Sequence, residues 1–234
     1  MDRSMKMPQL NMDEVILLVD TYYNMRRTRN KNTKASFYRD LSNTLRQLPF
    51  YKDLQDETQF RSESAVEIML NNILYKEINK DSVWARITSR QQQVMDYYQD
   101  DRYLLHDVAN TIRAIVKSGL KLNIEETPDS FMGGSMLMSY HKYIETKGEQ
   151  ALEFLKDYRG ETICAVCGQD ISKIYGEAAK DLMTVHYSAP ISWYPSALQL
   201  MSAEYLLLCP NCHKLAHTEV RLLEENSLRS RLGK

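Results

Sequence analysis

The sequence predicts a mainly α-helical protein. An N-terminal helical domain is followed by a small domain of two short strands and a helix, stapled by zinc. Three observations carry this prediction. Apolar residues recur at three- and four-residue spacing through the first half of the chain, and glycine and proline number only 8 and 6 of 234 residues. All four cysteines fall into two Cys-x-x-Cys pairs, Cys164 with Cys167 and Cys209 with Cys212. Three of the five histidines, His186, His213 and His217, lie between or just beyond those pairs.

The helices read in order. Asn11 to Glu14 forms a capping box, and Val15, Leu18, Val19 and Tyr22 follow on one face. A basic loop comes next, with Arg26, Arg27, Arg29, Lys31 and Lys34. Phe37, Leu41, Leu45 and Leu48 share the face of a second helix, which Pro49 stops. Phe60-Arg61-Ser62 leads into a third, striped by Val66, Met69, Leu70, Ile73 and Leu74. A shorter segment surrounds Val83, Trp84 and Ile87, and a last helix carries Leu104, Leu105, Val108, Ile112 and Ile115 to Ser118-Gly119. Residues 1–119 therefore read as one helical domain. Residues 120–158, opened by the breakers Pro128, Gly133 and Gly134, read as a linker and a connecting helix from about Ser139 to Tyr158.

Residues 159–234 change character. The stretch Leu182 to Tyr187 is β-prone, Pro190 and Pro195 bracket a loop, and Tyr205 to Leu208 is a second strand. Pro210 suits a helix start, and the helix is expected from Asn211 to about Glu225.

Composition bounds the function. The chain is 43% hydrophobic and 26% charged with a net charge near −1, so nucleic-acid contact must come from local patches. No stretch is apolar enough to span a membrane, and the polar N-terminus is not a signal peptide. A cytoplasmic setting with reduced thiols is the expectation. There, paired Cys-x-x-Cys units bind metal or do redox work more often than they form disulfides. A redox pair leaves the second pair unexplained, and four buried free thiols leave the pairing unexplained. Two knuckles complete a thiolate tetrahedron for structural zinc, with residues 168–208 folded as an insert.

The histidines suggest a second ion. His213 and His217 are four apart on a predicted helix and share a face. With His186 at the end of a strand they make a three-ligand site with positions left for water and substrate.

These residues resemble the HNH endonuclease family, and within it the McrA-like branch of modification-dependent restriction and phage defence. The similarity lies in Cys164-Ala165-Val166-Cys167-Gly168, in Ile174-Tyr175-Gly176-Glu177, in Val185-His186-Tyr187 with Pro190 and Ile191, and in Leu207 through His217. Upstream, Phe60 through Asn72 is similar to the helical domain that precedes many such nucleases, and Gly133, Gly134, His141 and Glu145 look like its connecting helix. The resemblance implies a ββα-metal fold and a DNA endonuclease whose N-terminal module recognises DNA. It implies a structural zinc on the four cysteines and a divalent ion (magnesium, manganese, nickel or zinc) on His186, His213 and His217. A second copy of the chain or a defence-system protein are further partners consistent with it.

Two positions depart from the pattern. The family usually has histidine as general base where this chain has Tyr187, and asparagine where it has Glu204. A phenol titrates near 10 and is a poor base at neutral pH. Tyr187 then orients water while Glu204 or the substrate phosphate takes the proton, or Tyr187 merely packs and the fold is a catalytically degenerate DNA-binding or partner subunit. Candidate phosphate contacts are Arg26, Arg27, Arg29, Lys31 and Lys34, together with Arg61. A second patch comprises Lys214, Arg221, Arg229, Arg231 and Lys234.

Overall fold

A computed structural model describes residues 7–79, 86–124, 133–147, 162–187, 189, 205–218 and 225–233. The chain separates into two compact units, Met1–Ile124 and Glu125–Lys234.

The first unit is built around α1 (Met12–Met25). Asn11 caps it reciprocally with Glu14, as the capping box predicts. The expected single apolar face is an underestimate, because Val15, Ile16, Leu17, Leu18 and Val19 are all fully buried. A helix that is apolar all round belongs inside a bundle. Around it pack α2 (Lys31–Gln47), α3 (Glu63–Ile78), α4 (Ser89–Tyr97) and α5 (Arg102–Ser118). The C-cap of α5 is Gly119 at φ 66°, a left-handed conformation that glycine adopts without strain. The sequence reading missed α4. It is polar (Arg90, Gln91, Gln92, Gln93) and short, so periodicity gives little signal. Its start is marked by a Thr88–Gln91 capping box.

Burying α1 on every side also buries its acids, and each needs a partner. Glu14 receives Arg61 in a two-pronged pair, with Nε to Oε1 at 2.7 Å and Nη2 to Oε2 at 3.0 Å. Arg61 also donates to the carbonyls of Pro8 and Gln9. Burial pushes the Glu14 carboxyl above its ordinary range, and Arg61 opposes that shift. Asp20 receives Arg113 at 2.7 Å and His106 at 2.9 Å.

The basic segment is not one loop. Asn30 caps α2, so Lys31 and Lys34 lie in the opening turns of that helix. Val83 and Trp84 fall outside the described residues.

In the second unit, α6 (Ser135–Lys147) starts earlier than expected, and residues 148–158 lie outside the described residues. Short α7 (Ser172–Tyr175) and α8 (Ala179–Leu182) precede β1 (Thr184–Tyr187). β2 (Tyr205–Leu208) pairs with it antiparallel, and α9 (Pro210–Ala216) follows. The register sets His186 opposite Leu206 and Tyr187 opposite Tyr205. Helix α6 packs on β1, and α9 packs on both strands. The C-terminal helix is shorter than the expected span to Glu225. α9 stops at Ala216, His217 is its C-cap, and the Thr218 hydroxyl bonds back to Leu215. A separate helix, α10, runs Glu225–Arg231. The small core of this unit gathers Cys164, Val166, Ile171, Met183, Leu208 and Cys212.

Candidate metal centres

Two side-chain clusters in the second unit have the chemistry and the spacing to hold metal ions. The first comprises the four cysteines. Gly168 stands at φ 71° and its N–H bonds Cys164 O at 2.9 Å, which closes the first knuckle. The second knuckle uses the helix start: Cys209 precedes α9, Pro210 is its first residue, and Cys212 sits one turn in. Hydrogen bonds join the knuckles, with Ala165 N–H to Leu207 O at 2.9 Å. All four Sγ atoms lie within 4.8 Å of one another, and Cys167 Sγ is 3.9 Å from Cys209 Sγ. A tetrahedron with metal–sulfur bonds of about 2.3 Å has edges of about 3.8 Å. The thiols fit a metal ion.

Their electrostatics agree. Burial alone would raise the Cys164 thiol, but backbone N–H groups of Cys209, Cys167 and Val166 outweigh it and bring it down to about 7. Burial and the neighbouring Cys164 push Cys212 up, and burial foremost raises Cys209. Four thiolates cannot share this space unless a cation compensates them.

The second cluster brings His186, His213 and His217 together, as the sequence predicts, and adds two residues it did not assign. His141 and Glu145 lie one turn apart on α6, so both face the same way. Glu145 is fully buried. Its Oε1 lies 2.9 Å from His141 Nε2 and 3.0 Å from His186 Nδ1, and it accepts the backbone N–H of Tyr187 at 2.7 Å. Its Oε2 lies 2.9 Å from His213 Nε2 and 2.8 Å from His217 Nε2. The two Nε2 atoms of His213 and His217 are 3.2 Å apart. Five nitrogens thus converge on one carboxylate, which offers about four lone-pair directions. The signal that finds His141 and Glu145 is their four-residue spacing, the same as that of His213 and His217.

Burial by itself would raise the Glu145 carboxyl, but the His141 charge and the surrounding imidazole hydrogen bonds hold it well below the ordinary carboxylate range. Burial pulls His217 down to about 4, against the pull of Glu145. Glu145 is thus a carboxylate and His217 a neutral imidazole, the states in which both ligate metal. Imidazole ligands suit zinc, copper, iron and nickel, whereas magnesium and manganese favour oxygen ligands such as the Glu145 carboxylate.

Other predicted site residues fare differently. Tyr187, expected either to orient water or merely to pack, has its side chain buried away from the imidazole cluster. Strand β1 continues through it, so its side chain points to the face opposite His186, where it is 4% exposed and its ring meets Tyr205. Burial, then the Glu145 and Tyr205 charges, raise its hydroxyl further. Its contribution is the backbone N–H that fixes Glu145. Arg61 is corrected too: at 6% exposure and spent on Glu14, it has no reach to a phosphate. Arg26 pairs with Glu77 at 2.5 Å, and Arg229 pairs with Glu225 and caps the carbonyls of Ala165 and Val166. Arg27, Arg29, Lys31 and Lys214 are exposed, and Lys34 is half-buried. Glu204, Arg221 and Lys234 lie outside the described residues.

The first unit also has a cleft of about 490 Å³, lined by Phe37, Asp40, His106, Asn110 and Arg113 among others. Among the described residues, no helix is long and apolar enough to cross a membrane.

The second unit therefore combines a strand–strand–helix element with two clusters that can hold metal, one of thiols and one of imidazoles around a carboxylate. Comparison of the chain with protein-family models, with curated proteins and with solved structures finds no match.

Proposed function

We propose that the protein is a metal-dependent endonuclease of HNH type that hydrolyses phosphodiester bonds in DNA. The observation that carries this reading is the convergence of His186 from a strand and of His213 and His217 from the next helix on one buried carboxylate, beside a four-cysteine cluster. The thiol cluster holds structural zinc, the ion for which a closed tetrahedral sulfur site is best suited. A divalent ion at the imidazole cluster supplies Lewis acidity to a phosphoryl oxygen and acidity to a water.

The chain's own residues do the rest. Glu145 and the histidines fix the ion, and the Tyr187 N–H holds Glu145 in place. Lys214, exposed beside His213, is the candidate phosphate contact of the second unit, and the exposed Arg27, Arg29 and Lys31 are those of the first; such contacts carry salt dependence without base specificity. Water oxygen bonds to phosphorus, the opposite P–O bond breaks, and the leaving oxygen takes up a proton. With the Tyr187 hydroxyl buried, the water's proton goes to a phosphate oxygen or to solvent. Restriction or phage defence is the biological setting that the resemblance implies, and a second copy or a defence protein is the further partner.

Plasmid incubated with the protein and Mn²⁺, Ni²⁺ or Mg²⁺, beside a His213→Ala control, tests the reading. Metal-dependent nicking that the control lacks supports it. Absence of nicking on modified, unmodified and single-stranded substrates alike favours the second reading, a metal-stapled DNA-binding subunit without catalysis. The burial of Tyr187 at the base position is the observation that speaks for that alternative.

A further inference from the structure

The cleft of the first unit lies between the last turns of α1 and the middle of α2 and α5, and its volume of about 490 Å³ suits a small ligand. Phe37 supplies a half-buried aromatic wall. Behind the lining, the buried Asp20 carboxylate is already met by Arg113 Nη2 at 2.7 Å and by His106 Nδ1 at 2.9 Å. Arg113 Nη1 donates to Asn110 Oδ1 at 3.0 Å, which leaves the Asn110 Nδ2 group to donate to a ligand. Asp40 also lines the cleft and is exposed; Thr44 bonds its backbone carbonyl, and among the described residues its carboxylate meets no donor. The basic segment borders one end of this cleft, because Arg27 comes three residues after the lining residue Asn24 and Lys34 three before Phe37.

We propose that this cleft takes one unpaired nucleobase of a DNA strand, guanine before the others, with the strand's phosphates on the basic segment. The proposal rests on the DNA reading above and extends it to the first unit, where it needs no metal ion. The Phe37 ring offers a face for stacking, which every base can use. Selection falls to Asp40, an acceptor-only group with two oxygens. Guanine presents two donors side by side to such a pair, N1–H and N2–H, and its O6 accepts from an amide such as Asn110 Nδ2. Adenine and cytosine offer the carboxylate one amino group, and thymine offers one N–H between two carbonyl oxygens that repel it. These donors lie on the base-pairing edge, so the base must leave its partner to be read.

A free guanine nucleotide carries the same edge, and the rim separates the two sources. Exposed Arg27, Arg29 and Lys31 with half-buried Lys34 spread positive charge from residue 27 to residue 34, more than a single monophosphate occupies. Successive phosphates of a strand fit such a row, and they are held without regard to sequence.

The test titrates the full chain, without added divalent metal, into labelled oligothymidine strands that carry one central guanine, one central hypoxanthine or no substitution. Fluorescence anisotropy is the readout. The guanine strand is expected to bind about tenfold tighter than the plain strand, and hypoxanthine, which lacks the N2 amino group, to lose most of that gain. Asp40→Asn is expected to bring the guanine and plain strands within about twofold of each other with its melting temperature unchanged, since the residue is exposed. Phe37→Ala is expected to weaken all strands alike. Equal binding of the guanine and plain strands by wild type, or a guanine preference that persists in Asp40→Asn, overturns the proposal. Deoxyguanosine monophosphate that binds while the strands stay indistinguishable assigns the cleft to a free nucleotide and overturns the strand. If Phe37→Ala loses its fold, as thermal melting would reveal, Asp40→Asn still decides. Metal-dependent nicking of plasmid is the separate test of the nuclease reading, and it can succeed where these titrations fail.

Discussion

Glu145 Oε2 lies 2.8 Å from His217 Nε2, although 72 residues separate them in the chain. That contact ties the helix α6 to the far end of α9 and makes the carboxylate the hub of the second unit. His141, His186, His213 and His217 each bring a ring nitrogen within 3.0 Å of Glu145, which is fully buried and held well below the ordinary carboxylate range by the groups it collects.

Replacing Glu145 by Gln keeps the shape and removes the charge. The imidazole centre then loses its anionic ligand, and Mn²⁺ affinity there is expected to fall by more than about tenfold, while cysteine-held metal stays. Titration calorimetry on the two proteins checks this, and unchanged affinity would remove Glu145 from the ligand set.

Cys212 and His213 are neighbours on α9, so the thiol centre sets the helix start that places the imidazole. Cys212→Ser is therefore expected to lose the cysteine-held ion and to weaken metal binding at the imidazole centre as well. The small core of this unit gives little else to hold the knuckles. Metal analysis that finds the second centre fully loaded in this variant would show the two to be independent.

Tyr187→Phe is expected to keep metal-dependent cleavage within about threefold of wild type, because the residue contributes its backbone N–H and its buried ring rather than its hydroxyl. A loss of a hundredfold or more would restore the phenol to the chemistry.

Arg61→Ala is expected to lower stability by roughly 3–5 kcal/mol, since it strands the buried Glu14 carboxylate. Arg27→Ala, at an exposed position, is expected to leave melting unchanged and to reduce the salt dependence of DNA binding. Thermal melts and salt titrations of the two variants separate the roles. The prediction fails if Arg61→Ala melts like wild type.

With the imidazole centre freed of metal, His217 makes stability depend on pH. Burial foremost lowers its folded pKa to about 4, against an ordinary value of 6.5. Between those values the unfolded chain binds the proton and the folded chain does not. Stability is thus expected to fall as pH drops from about 6.5 to 4.5, with a full effect on the order of 3 kcal/mol. Urea unfolding at pH 7 and pH 5 measures it, and His217→Gln is expected to flatten the slope.

Much of this was legible in the sequence because local chemistry dictates it. The Asn11–Glu14 capping box, the Gly119 stop, the Tyr205–Leu208 strand and the Pro210 helix start all rest on neighbours a few residues away. The Cys-x-x-Cys spacing and the His213–His217 spacing likewise reach their geometry within one knuckle or one turn. The helix α4 escaped because it is short and polar, and the end of α9 escaped because the side chains beyond it do not forbid a longer helix.

The sequence by itself determined the helical first unit, the strand–strand–helix order and three of the four converging imidazoles. Tertiary structure alone decided that Glu145 and His141 join them, that the Tyr187 side chain turns away, and that Arg61 serves Glu14 and not a phosphate. The physical reason is range. Spacing along a helix or strand fixes which residues share a face, but which face meets which is settled by packing, and a buried charge reveals its purpose only through the partner that packing brings to it.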